Sequence, residues 1–503
     1  MSSDTKKAVV TTENEIYTVD IGTRLDAALG LPLACGGHGR CGKCKVTAHG
    51  SLSPLSESEQ RLLTAQEIAD GVRLACRAKI MGNCRVEKYA PHTPDLKIML
   101  DGTAASHTCL PAFKKYAIAI DIGTTTLAAR LYDTNGKLIG EGGGKNPQVA
   151  WGADVVSRIE ASVGGQKDAL ARSIRDAVDK LIQELASSAG ICTQDIDGLV
   201  ITGNTAMLVF LTRGDAEPMS HAPFCPEEPF GRVLTAGELG LTSLHPDTQI
   251  YLPPCISAFV GADMLCAVLA VNMCESDETS LLSDIGTNGE MGLWHNGVLR
   301  VCSTAAGPAF EGAMIEMGMN GSAGAVDHVT LCNGKPAAHV IGECAPVGIC
   351  GSGLIDAVAC LLDCEELDES GYLEDGSAVI TPPVILTQKD IRMVQLAKSA
   401  ICAGITTLIS AAGIDGRDID KFYIAGGFGS YLNIKNAGRI GLVPPSLTDR
   451  ATAVGNAALA GASMLLLDTS LRRKALDMSK NATLTDLASS PVFSEAYMRG
   501  MRF

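Results

Sequence analysis

Three cysteines with the spacing C-x5-C-x2-C, Cys35, Cys41 and Cys44, lie in the glycine-rich stretch LACGGHGRCGKCKV. A fourth, Cys76, lies in RLACRAKI, with 31 residues between it and Cys44. Thiolates bind iron–sulfur clusters, and three in one loop with one distant partner can enclose a [2Fe–2S] centre. The glycines allow backbone angles that turn amides toward the sulfurs. These four cysteines therefore predict a [2Fe–2S] cluster and one-electron chemistry.

Other assignments of the cysteines are weaker. Cys84 competes with Cys76 for the fourth position, but NCRVEKY indicates a strand in which Cys84 would be an ordinary strand residue. Structural zinc usually takes two closely spaced pairs, and here the fourth cysteine is single. Disulfides are disfavoured because the start MSSDTKK does not indicate a secretory signal peptide.

Two near-copies of a second motif indicate phosphate binding. YAIAIDIGTTTLAARLYD contains Asp121, Gly123 and Thr124–Thr126, and SLLSDIGTNGEMGLW contains Asp284, Gly286, Thr287 and Asn288. In each copy an aspartate ends an apolar strand and small residues form a turn before the next strand. Turn amides and hydroxyls can hold phosphate oxygens, and the aspartate can hold hydrated Mg²⁺. One copy could be a plain hairpin, whereas two copies predict duplicated halves that share a cleft.

A third motif, DKFYIAGGFGSYLN, places Gly426, Gly427 and Phe428 at the end of a strand. Glycines there allow the backbone to lie flat against an adenosine. The chain lacks the G-x4-G-K-[ST] motif, and no G-x-G-x-x-G follows a strand in a dinucleotide-binding context. The helical stretches VGICGSGLIDAVACLL and GNAALAGASMLLL are rich in small residues, which suits close crossings between two hinged lobes.

The elements around these motifs indicate separate domains. KAVVTTENEIYTVDI predicts a hairpin, TRLDAALG a short helix and KCKVTAHG a strand. Ser56 and Glu59 form a capping box before one helix through QRLLTAQEIA. Residues 91–114 have no sustained period and predict a linker. The expected fold is a multi-domain α/β protein with a β-grasp domain at 1–90 and a duplicated α/β domain at 115–503. The two halves are expected at about 115–275 and 276–470, followed by a C-terminal extension.

Composition limits the classes of function. The hydrophobic fraction of 46% and charged fraction of 19% are typical of a soluble protein with a large core. The best apolar run, FVGADMLCAVLAVNM, is interrupted by Asp263, so no membrane span is predicted. The 14 other cysteines are scattered, as expected for a reduced, cytoplasmic compartment. A net charge of −15 argues against nucleic acid.

The charge is divided unevenly along the chain. Residues 1–90 hold 12 Lys/Arg and 10 Asp/Glu, whereas the rest holds 29 and 46. Basic residues flank the cluster cysteines, and they are either ordinary solvated side chains or a docking face for an acidic surface. These residues are Arg40, Lys43, Lys45, Arg77 and Lys79.

Residues 5–90 resemble ferredoxins with C-x5-C-x2-C spacing, and residues 115–470 resemble the sugar kinase, heat-shock-70 and actin superfamily of ATPases. The resemblance implies ATP and Mg²⁺, with Asp121, Gly123 and Thr124–Thr126 forming the first phosphate loop. Asp284, Gly286, Thr287 and Asn288 would form the second, and Gly426, Gly427 and Phe428 would lie near the adenosine.

Together the two domains resemble reductive activators of corrinoid-dependent methyltransferase systems. Matching stretches are NPQVAWGADVVSRIE, VITGNTAM, CSTAAGPAFEGAMIEMGM and GICGSGLIDA. The resemblance implies ATP-dependent transfer of one electron from the cluster to a Co(II) corrinoid, giving Co(I). Expected partners are a corrinoid protein and an upstream low-potential electron donor, with a homodimer as a candidate assembly. The nucleotide would gate docking, and no residue need act as a covalent nucleophile.

Two other functions stay open from the sequence. An activator of a radical 2-hydroxyacyl-CoA dehydratase would use a cluster cysteine near Cys350, with a second ligand among Cys360, Cys364 and Cys402. A small-molecule kinase with a redox domain would need a carboxylate base. Asp154 and Asp263 are the candidates for that base, although either could bind Mg²⁺ or cap a helix.

Overall fold

The computed structural model describes most of the chain in two compact units. The first comprises Met1–Thr93 with Gln148–Ala161, and the second comprises Pro94–Pro147 with Ser162–Phe503. The predicted boundaries at 90 and 114 stay predictions. The described residues are 7–12, 15–31, 39, 42, 44–88, 99–105, 109–312, 314–332, 334–427 and 431–503.

The first unit contains a mixed five-stranded sheet in the order β2-β1-β5-β3-β4. The β1–β2 hairpin is antiparallel, and β1 pairs in parallel with β5. This arrangement confirms the predicted β-grasp domain. Its strands are β1 (Lys7–Thr11), β2 (Ile16–Asp20), β3 (Lys45–Leu52), β4 (Val72–Leu74) and β5 (Ile80–Lys88). Its helices are α1 (Leu25–Leu29), α2 (Glu57–Leu62), α3 (Ala65–Ala69) and α4 (Val155–Ala161).

The single helix predicted through QRLLTAQEIA is wrong. Ser56 and Glu59 do form the predicted capping box at the start of α2. Leu63 then adopts an extended conformation, and Thr64 forms a second capping box with Glu67 that starts α3. The Thr64 hydroxyl accepts a hydrogen bond from the Glu67 amide and so starts a new helix. The apolar residues on both sides of Thr64 had suggested one continuous helix.

The second unit begins with a six-stranded sheet in the order β10-β11-β9-β6-β7-β8. Its strands are β6 (Tyr116–Ile122), β7 (Thr126–Asp133), β8 (Leu138–Lys145), β9 (Ile196–Gly203), β10 (Arg232–Thr235) and β11 (Gln249–Leu252). The accompanying helices are α5 (Lys167–Ala189), α6 (Thr205–Thr212), α7 (Ala236–Leu239) and α8 (Ala262–Ala270).

A second six-stranded sheet follows, in the order β21-β20-β12-β13-β14-β22. Its strands are β12 (Ser280–Ile285), β13 (Gly289–His295), β14 (Val298–Thr304), β20 (Lys421–Ala425), β21 (Ala451–Gly455) and β22 (Thr483–Leu484). Smaller sheets use β15 (Ala325–Cys332), β16 (Lys335–Val340), β17 (Gly348–Ile349), β18 (Ser377–Thr381) and β19 (Val384–Thr387). The remaining helices are α9 (Gly351–Asp363), α10 (Gln388–Ala412), α11 (Ile434–Arg439), α12 (Ala457–Leu467), α13 (Leu471–Asn481) and α14 (Pro491–Arg499).

The two large sheets share one topology, which confirms the predicted duplication. In the first, β6, β7 and β8 are antiparallel neighbours and β6 pairs in parallel with β9. In the second, β12, β13 and β14 repeat the antiparallel run and β12 pairs in parallel with β20. Each motif with an aspartate and a turn therefore joins the first two strands of its own sheet.

Helices α8 and α12 pack closely against each other. A Cβ at Gly461 would lie 1.9 Å from the Cys266 carbonyl oxygen, so only glycine allows this approach. The small-residue stretch GNAALAGASMLLL therefore forms the close helix crossing that the sequence predicted.

Helix α10 is long and apolar enough to span a membrane, by length and composition alone. Two thirds of its apolar window, 67%, is buried within the protein. Its Gln395 and Lys398 side chains are also buried and donate to the Met501 and Arg502 carbonyls. These are the features of a core helix.

Candidate functional site

Two of the four predicted cluster cysteines come together in the first unit. Cys44 lies just before β3 and Cys76 lies in the turn after β4, and their sulfurs are 3.2 Å apart. Pairing of Lys45 with Leu74, and donation by the Ala75 amide to the Cys44 carbonyl, fix this approach. Cys35 and Cys41 lie outside the described residues. Two thiols at this distance fit a shared metal centre.

Cys84 has different surroundings. It lies within β5, opposite Val10 on β1 and Gly50 on β3. Gly50 is five residue steps from Lys45 along β3, which corresponds to about 17 Å of extended strand. Burial raises the pKa of the Cys84 thiol, which disfavours the thiolate that metal binding needs. This placement favours Cys76 as the fourth ligand.

Gly39 belongs to the cysteine loop and lies against basic and polar side chains. Its φ is +65°, and a Cβ there would lie 2.3 Å from Arg77 Nε and 2.9 Å from Ser58 Oγ. The loop therefore needs glycine at this point, and Arg77 lies across it, next to Cys76. Lys45 is partly neutralised, since its Nζ lies 2.6 Å from Glu67 Oε1.

The first predicted phosphate loop is a tight turn between β6 and β7. The Gly123 amide donates to the Thr126 carbonyl at 2.8 Å, and a Cβ at Gly123 would lie 2.9 Å from that oxygen. Asn146 donates to the Gly123 carbonyl, and Asn204 donates to the Thr124 hydroxyl. Neighbouring side chains thus hold the loop in a fixed shape.

The second loop, between β12 and β13, lies against the predicted adenosine turn. Gly426 has a φ of +110°, and a Cβ there would lie 2.6 Å from the Ile285 carbonyl oxygen and 2.8 Å from Asp284 Oδ1. Only glycine permits this contact. Phe428, predicted to lie near the adenosine, is outside the described residues.

One carboxylate, Glu311, joins the two loops. Its Oε2 accepts a hydrogen bond from the Thr125 hydroxyl at 2.5 Å, and its Oε1 accepts one from the Thr287 hydroxyl at 2.7 Å. Both hydroxyls were predicted to bind phosphate. The Glu311 carboxylate therefore satisfies donors that an incoming phosphate would use.

Both loops and the adenosine turn open into one cavity of about 560 Å³. This volume is within the usual range for ligand sites. The described residues that line it include eight carboxylates and no lysine or arginine. The carboxylates are Asp101, Asp121, Glu141, Asp263, Asp284, Glu290, Glu311 and Asp327. An anionic ligand that enters without cations would be repelled by those of the carboxylates that are ionised.

Four of these acids have raised pKa values, which favour their protonated forms. Burial, followed by the charge of Asp263, raises the pKa of Asp121 to about 7. Burial, Asp263 and Asp121 likewise raise the pKa of Asp284 to about 7. Asp263 and Glu290 form a hydrogen-bonded pair in which burial raises both pKa values, that of Glu290 strongly. Loss of solvation on burial is the main cause of these directions, and repulsion from neighbouring carboxylates adds to it for Asp121, Asp284 and Glu290.

Among the described residues, no group of three or more acidic, histidine or cysteine side chains has metal-binding geometry. The carboxylates at the phosphate loops are nevertheless the oxygen donors that Mg²⁺ prefers. Mg²⁺ usually keeps several waters and binds through one or two carboxylates plus phosphates. The donor set therefore fits a Mg²⁺ that arrives with a nucleotide.

The residues of the two alternative functions have separate hydrogen-bond partners. Cys350 occupies the N-cap position of α9 without a capping bond from its side chain, and its sulfur lies 3.4 Å from Ser352 Oγ in the cavity wall. Cys360 and Cys364 point to carbonyls at Val329 and Leu361 instead. Of the two candidate bases, Asp263 lines the cavity. Asp154 accepts from the Ser157 amide and so caps α4.

Sequence reasoning missed several residues of the cavity. Asn204, Glu311 and Asn456 lay in stretches singled out for family likeness or small residues, but no role was given to them. The Met99–Asp101 segment also lines the cavity, although it lies in the predicted linker. Its pattern carried no signal, because its contacts form only in the folded chain, and its Met99 and Asp101 carbonyls meet Asn456 more than 350 positions away.

Three family profiles match the chain. They are described as the 2Fe-2S iron-sulfur cluster binding domain for residues 7–81, the RACo middle region for 116–276, and the C-terminal domain of RACo, the ASKHA domain, for 278–503.

Individual proteins are similar over most of the chain. A corrinoid activation enzyme, RamQ of Eubacterium limosum, is 30% identical over 573 aligned positions, which cover 95% of each chain. A [Co(II) methylated amine-specific corrinoid protein] reductase of Methanosarcina barkeri is 26% identical over 76% of each. A solved reductive activator for corrinoid, iron-sulfur protein superposes with a TM-score of 0.71 at 26% identity, covering 99% of this chain and 98% of the other.

Proposed function

This chain belongs to the family of corrinoid-protein reductive activators, and we propose that it reduces a Co(II) corrinoid protein to Co(I) in an ATP-dependent reaction. The observation that carries the proposal is similarity to a corrinoid activation enzyme over 95% of both chains. The paired thiols of the first unit and the two-loop cavity of the second supply the parts that this activity needs.

Cys35, Cys41, Cys44 and Cys76 would hold the [2Fe–2S] cluster. When bound, such a cluster supplies one electron at low potential, near about −400 mV in plant-type ferredoxins. The four thiolates would bind it, and Arg77 directly follows Cys76 in the sequence. An external low-potential donor would restore the electron after each turnover.

Asp121, Gly123 and Thr124–Thr126 would receive one part of the phosphate chain of ATP, and Asp284, Gly286, Thr287 and Asn288 the other. Gly426, Gly427 and Phe428 would lie along the adenosine. The acidic cavity supports a requirement for Mg²⁺, since eight carboxylates line it. We expect nucleotide binding to fall at least about tenfold when Mg²⁺ is removed, as measured by isothermal titration with and without a chelator.

Energetics explain why a nucleotide is needed. For one electron, each ~59 mV changes the equilibrium tenfold, so a Co(II)/Co(I) couple ~100 mV below the cluster would oppose transfer by roughly fifty to one. Methylation of Co(I) would drain the product. A nucleotide-dependent conformation that binds the Co(II) protein preferentially would help further, and a shift from 1:99 to 99:1 requires ~5.5 kcal/mol of differential affinity.

Anaerobic spectroscopy tests the function. The reduced protein is mixed with the Co(II) form of its corrinoid protein, with and without MgATP, and Co(I) is followed in the visible region. We expect Co(I) with MgATP, and a loss of activity in Cys76→Ser. The absence of Co(I) under all these conditions would contradict the proposal.

Further expectations concern assembly and location. The homodimer is tested by light scattering of the purified protein. The cytoplasmic location stays a prediction from the cysteine content, and fractionation of the producing cells would test it.

A further inference from the structure

A short segment of the predicted linker follows the edge of the nucleotide cavity. We call residues 99–105 the strap. The Thr103 amide donates to the Val454 carbonyl at 3.0 Å, and the Ala105 amide donates to the Ala270 carbonyl at 2.7 Å. Met99, Leu100 and Asp101 line the cavity itself. The strap is therefore part of the wall of the site.

Asn456 connects the strap to the first phosphate loop. Its Nδ2 donates to Asp121 Oδ2 at 3.0 Å and to the Met99 carbonyl at 3.4 Å. Its backbone amide donates to the Asp101 carbonyl at 2.8 Å, and its Oδ1 caps α12 by accepting from the Leu459 amide. One side chain thus contacts the predicted Mg²⁺ carboxylate, the strap and a helix start.

The strap can lie in this position only with glycine at 102. A Cβ there would lie 2.2 Å from the Asn456 carbonyl oxygen and 3.3 Å from the Ala460 Cβ. Gly102 also bridges to Gly455 at the end of β21. The close approach of two backbones leaves no space for a side chain.

Arg130 holds a further carbonyl of the strap, that of Leu100. Arg130 Nη2 donates to the Leu100 carbonyl at 2.6 Å, and Arg130 Nε lies 3.7 Å from Glu141 Oε2. Glu141 also lines the cavity. Three consecutive strap carbonyls, at residues 99, 100 and 101, are therefore held by Arg130 and Asn456.

We propose that the strap is a nucleotide-binding segment, and that Asn456 is the positioning residue that couples a Mg²⁺-nucleotide at Asp121 to the chain leading from the iron–sulfur domain. This inference rests on the proposed function, because it names the regulation of the same cavity. The ligand class is a Mg²⁺-bound nucleoside triphosphate or diphosphate.

The direction of the coupling follows from the hydrogen bonds. A Mg²⁺ held by Asp121 would fix the position of that carboxylate. Because Asn456 Nδ2 donates both to Asp121 Oδ2 and to the Met99 carbonyl, fixing the carboxylate also fixes the amide that holds the strap. A nucleotide lying against Met99–Asp101 excludes water from the same carbonyls. Bound nucleotide therefore tightens the strap.

Hydrogen exchange of the full-length protein, followed by mass spectrometry, tests this coupling with MgATP and MgADP as probes. If the strap opens only when the nucleotide leaves, exchange in residues 99–105 slows in proportion to free nucleotide. The slowing reaches about 100-fold at 100 times the dissociation constant. Residues 121–126 and 284–288 report binding itself.

The outcomes separate the two proposals. Protection of the loops and the strap together supports the inference. Protection of the loops with unchanged exchange in the strap overturns the inference and leaves the proposed function in place. No protection at either place removes the nucleotide site, and the inference with it.

Two variants examine the residues directly. Asn456→Ser keeps a side-chain acceptor for the α12 cap but loses both Nδ2 bonds. We expect its nucleotide affinity to fall about tenfold. Hydrogen exchange in its strap should be the same with and without nucleotide, even when the nucleotide is saturating. A purely structural role would instead raise exchange equally with and without nucleotide.

Gly102→Ala should displace the strap and weaken nucleotide binding to a similar degree. Gly144→Ala is the matched control, because a Cβ at Gly144 has no neighbour within 4 Å. Equal nucleotide affinity in Gly102→Ala and Gly144→Ala would overturn the inference. If Gly102→Ala does not fold, the exchange experiment on the unaltered protein still decides it.

Discussion

At the scale of single residues, Cys76 and Cys84 have the same side chain and both are buried, but their surroundings differ. Cys76 lies in a turn, 3.2 Å from the sulfur of Cys44, whereas Cys84 lies within a strand. A turn can present a thiolate to a metal shared with the cysteine loop. A strand in the centre of a small sheet holds its side chain in place by packing.

Replacement of these two cysteines should therefore have opposite consequences. Cys76→Ser is expected to abolish the visible absorption of the cluster and its iron content. Cys84→Ser is the matched control and should keep the cluster, with a loss of stability of about 1–2 kcal/mol from the buried hydroxyl. Loss of the cluster in Cys84→Ser alone would show that the fourth ligand is wrongly assigned.

Glu311 accepts hydrogen bonds from both phosphate loops and lies where phosphate oxygens are expected. Glu311→Gln keeps the size of the side chain but removes its charge and one of its two acceptors. Hydrogen bonds to a charged group contribute about 1.5–3 kcal/mol each. Since a nucleotide must displace such bonds, we expect MgATP to bind about tenfold more tightly to the variant by titration calorimetry.

Glu160→Gln is the control for Glu311, because it makes the same chemical change at an exposed position of α4 that does not line the cavity. Its affinity for MgATP should change less than about twofold. Weaker binding to Glu311→Gln would instead indicate that Glu311 binds the metal.

The raised pKa values of Asp121 and Asp284 make stability depend on pH. Both pKa values rise from 3.8 to about 7, so the folded protein retains protons that the unfolded chain releases. The contribution of these two carboxyls to the free energy of unfolding is fully present below pH 3.8 and is lost as the pH rises through about 7. Without nucleotide, we expect the free energy of unfolding to fall by about 1 kcal/mol per carboxyl from pH 5 to 8, allowing for solvent screening.

Denaturant unfolding at several pH values measures this effect. Asp121→Asn combined with Asp284→Asn should flatten the dependence, because the amides do not titrate. A free energy of unfolding that rises over the same interval, and does so equally in the variant, would contradict the assignment.

At the scale of elements, the crossing of α8 and α12 depends on one glycine. In Gly461→Ala, the new methyl group meets the backbone carbonyl of Cys266, which cannot move independently of its helix. We expect a loss of about 2–4 kcal/mol in the free energy of unfolding, measured with denaturant.

Gly404→Ala in α10 is the matched control. Its Cβ would meet the mobile end of the Met291 side chain at 2.6 Å. The better helix propensity of alanine offsets that contact, so the free energy of unfolding should change by less than about 1 kcal/mol. Equal effects of the two substitutions would show that helix propensity, and not the crossing, determines the result.

Local sequence signals predicted those elements that depend on neighbouring residues. The β1–β2 hairpin, the capping box at Ser56 and the two turns after Asp121 and Asp284 could all be read from short patterns. The break at Thr64 was missed because the apolar pattern continues through it, whereas the Thr64 hydroxyl caps a second helix. The strap was missed because its position depends on Asn456 and Arg130, which approach it only in the folded chain.

At the scale of the whole molecule, the sequence predicted an iron–sulfur cluster and a nucleotide site. The structure describes one cavity lined by residues that were predicted for the nucleotide. The predicted nucleotide residues, apart from Phe428, gather around a single cavity. The sequence did not predict how acidic that cavity is, because its carboxylates come from seven separate stretches of the chain. Two of the four predicted cluster ligands, Cys44 and Cys76, lie within the described residues, and their sulfurs are 3.2 Å apart.

Single-turnover electron transfer tests the central claim most directly. The protein is reduced anaerobically, freed of its reductant and mixed with excess Co(II) corrinoid protein, with or without MgATP. Cluster oxidation and Co(I) formation are followed together by visible spectroscopy. We predict up to one Co(I) per cluster oxidised, with formation much faster when MgATP is present. Equal Co(I) formation with and without MgATP, or a cluster that stays reduced in both mixtures, would contradict the account.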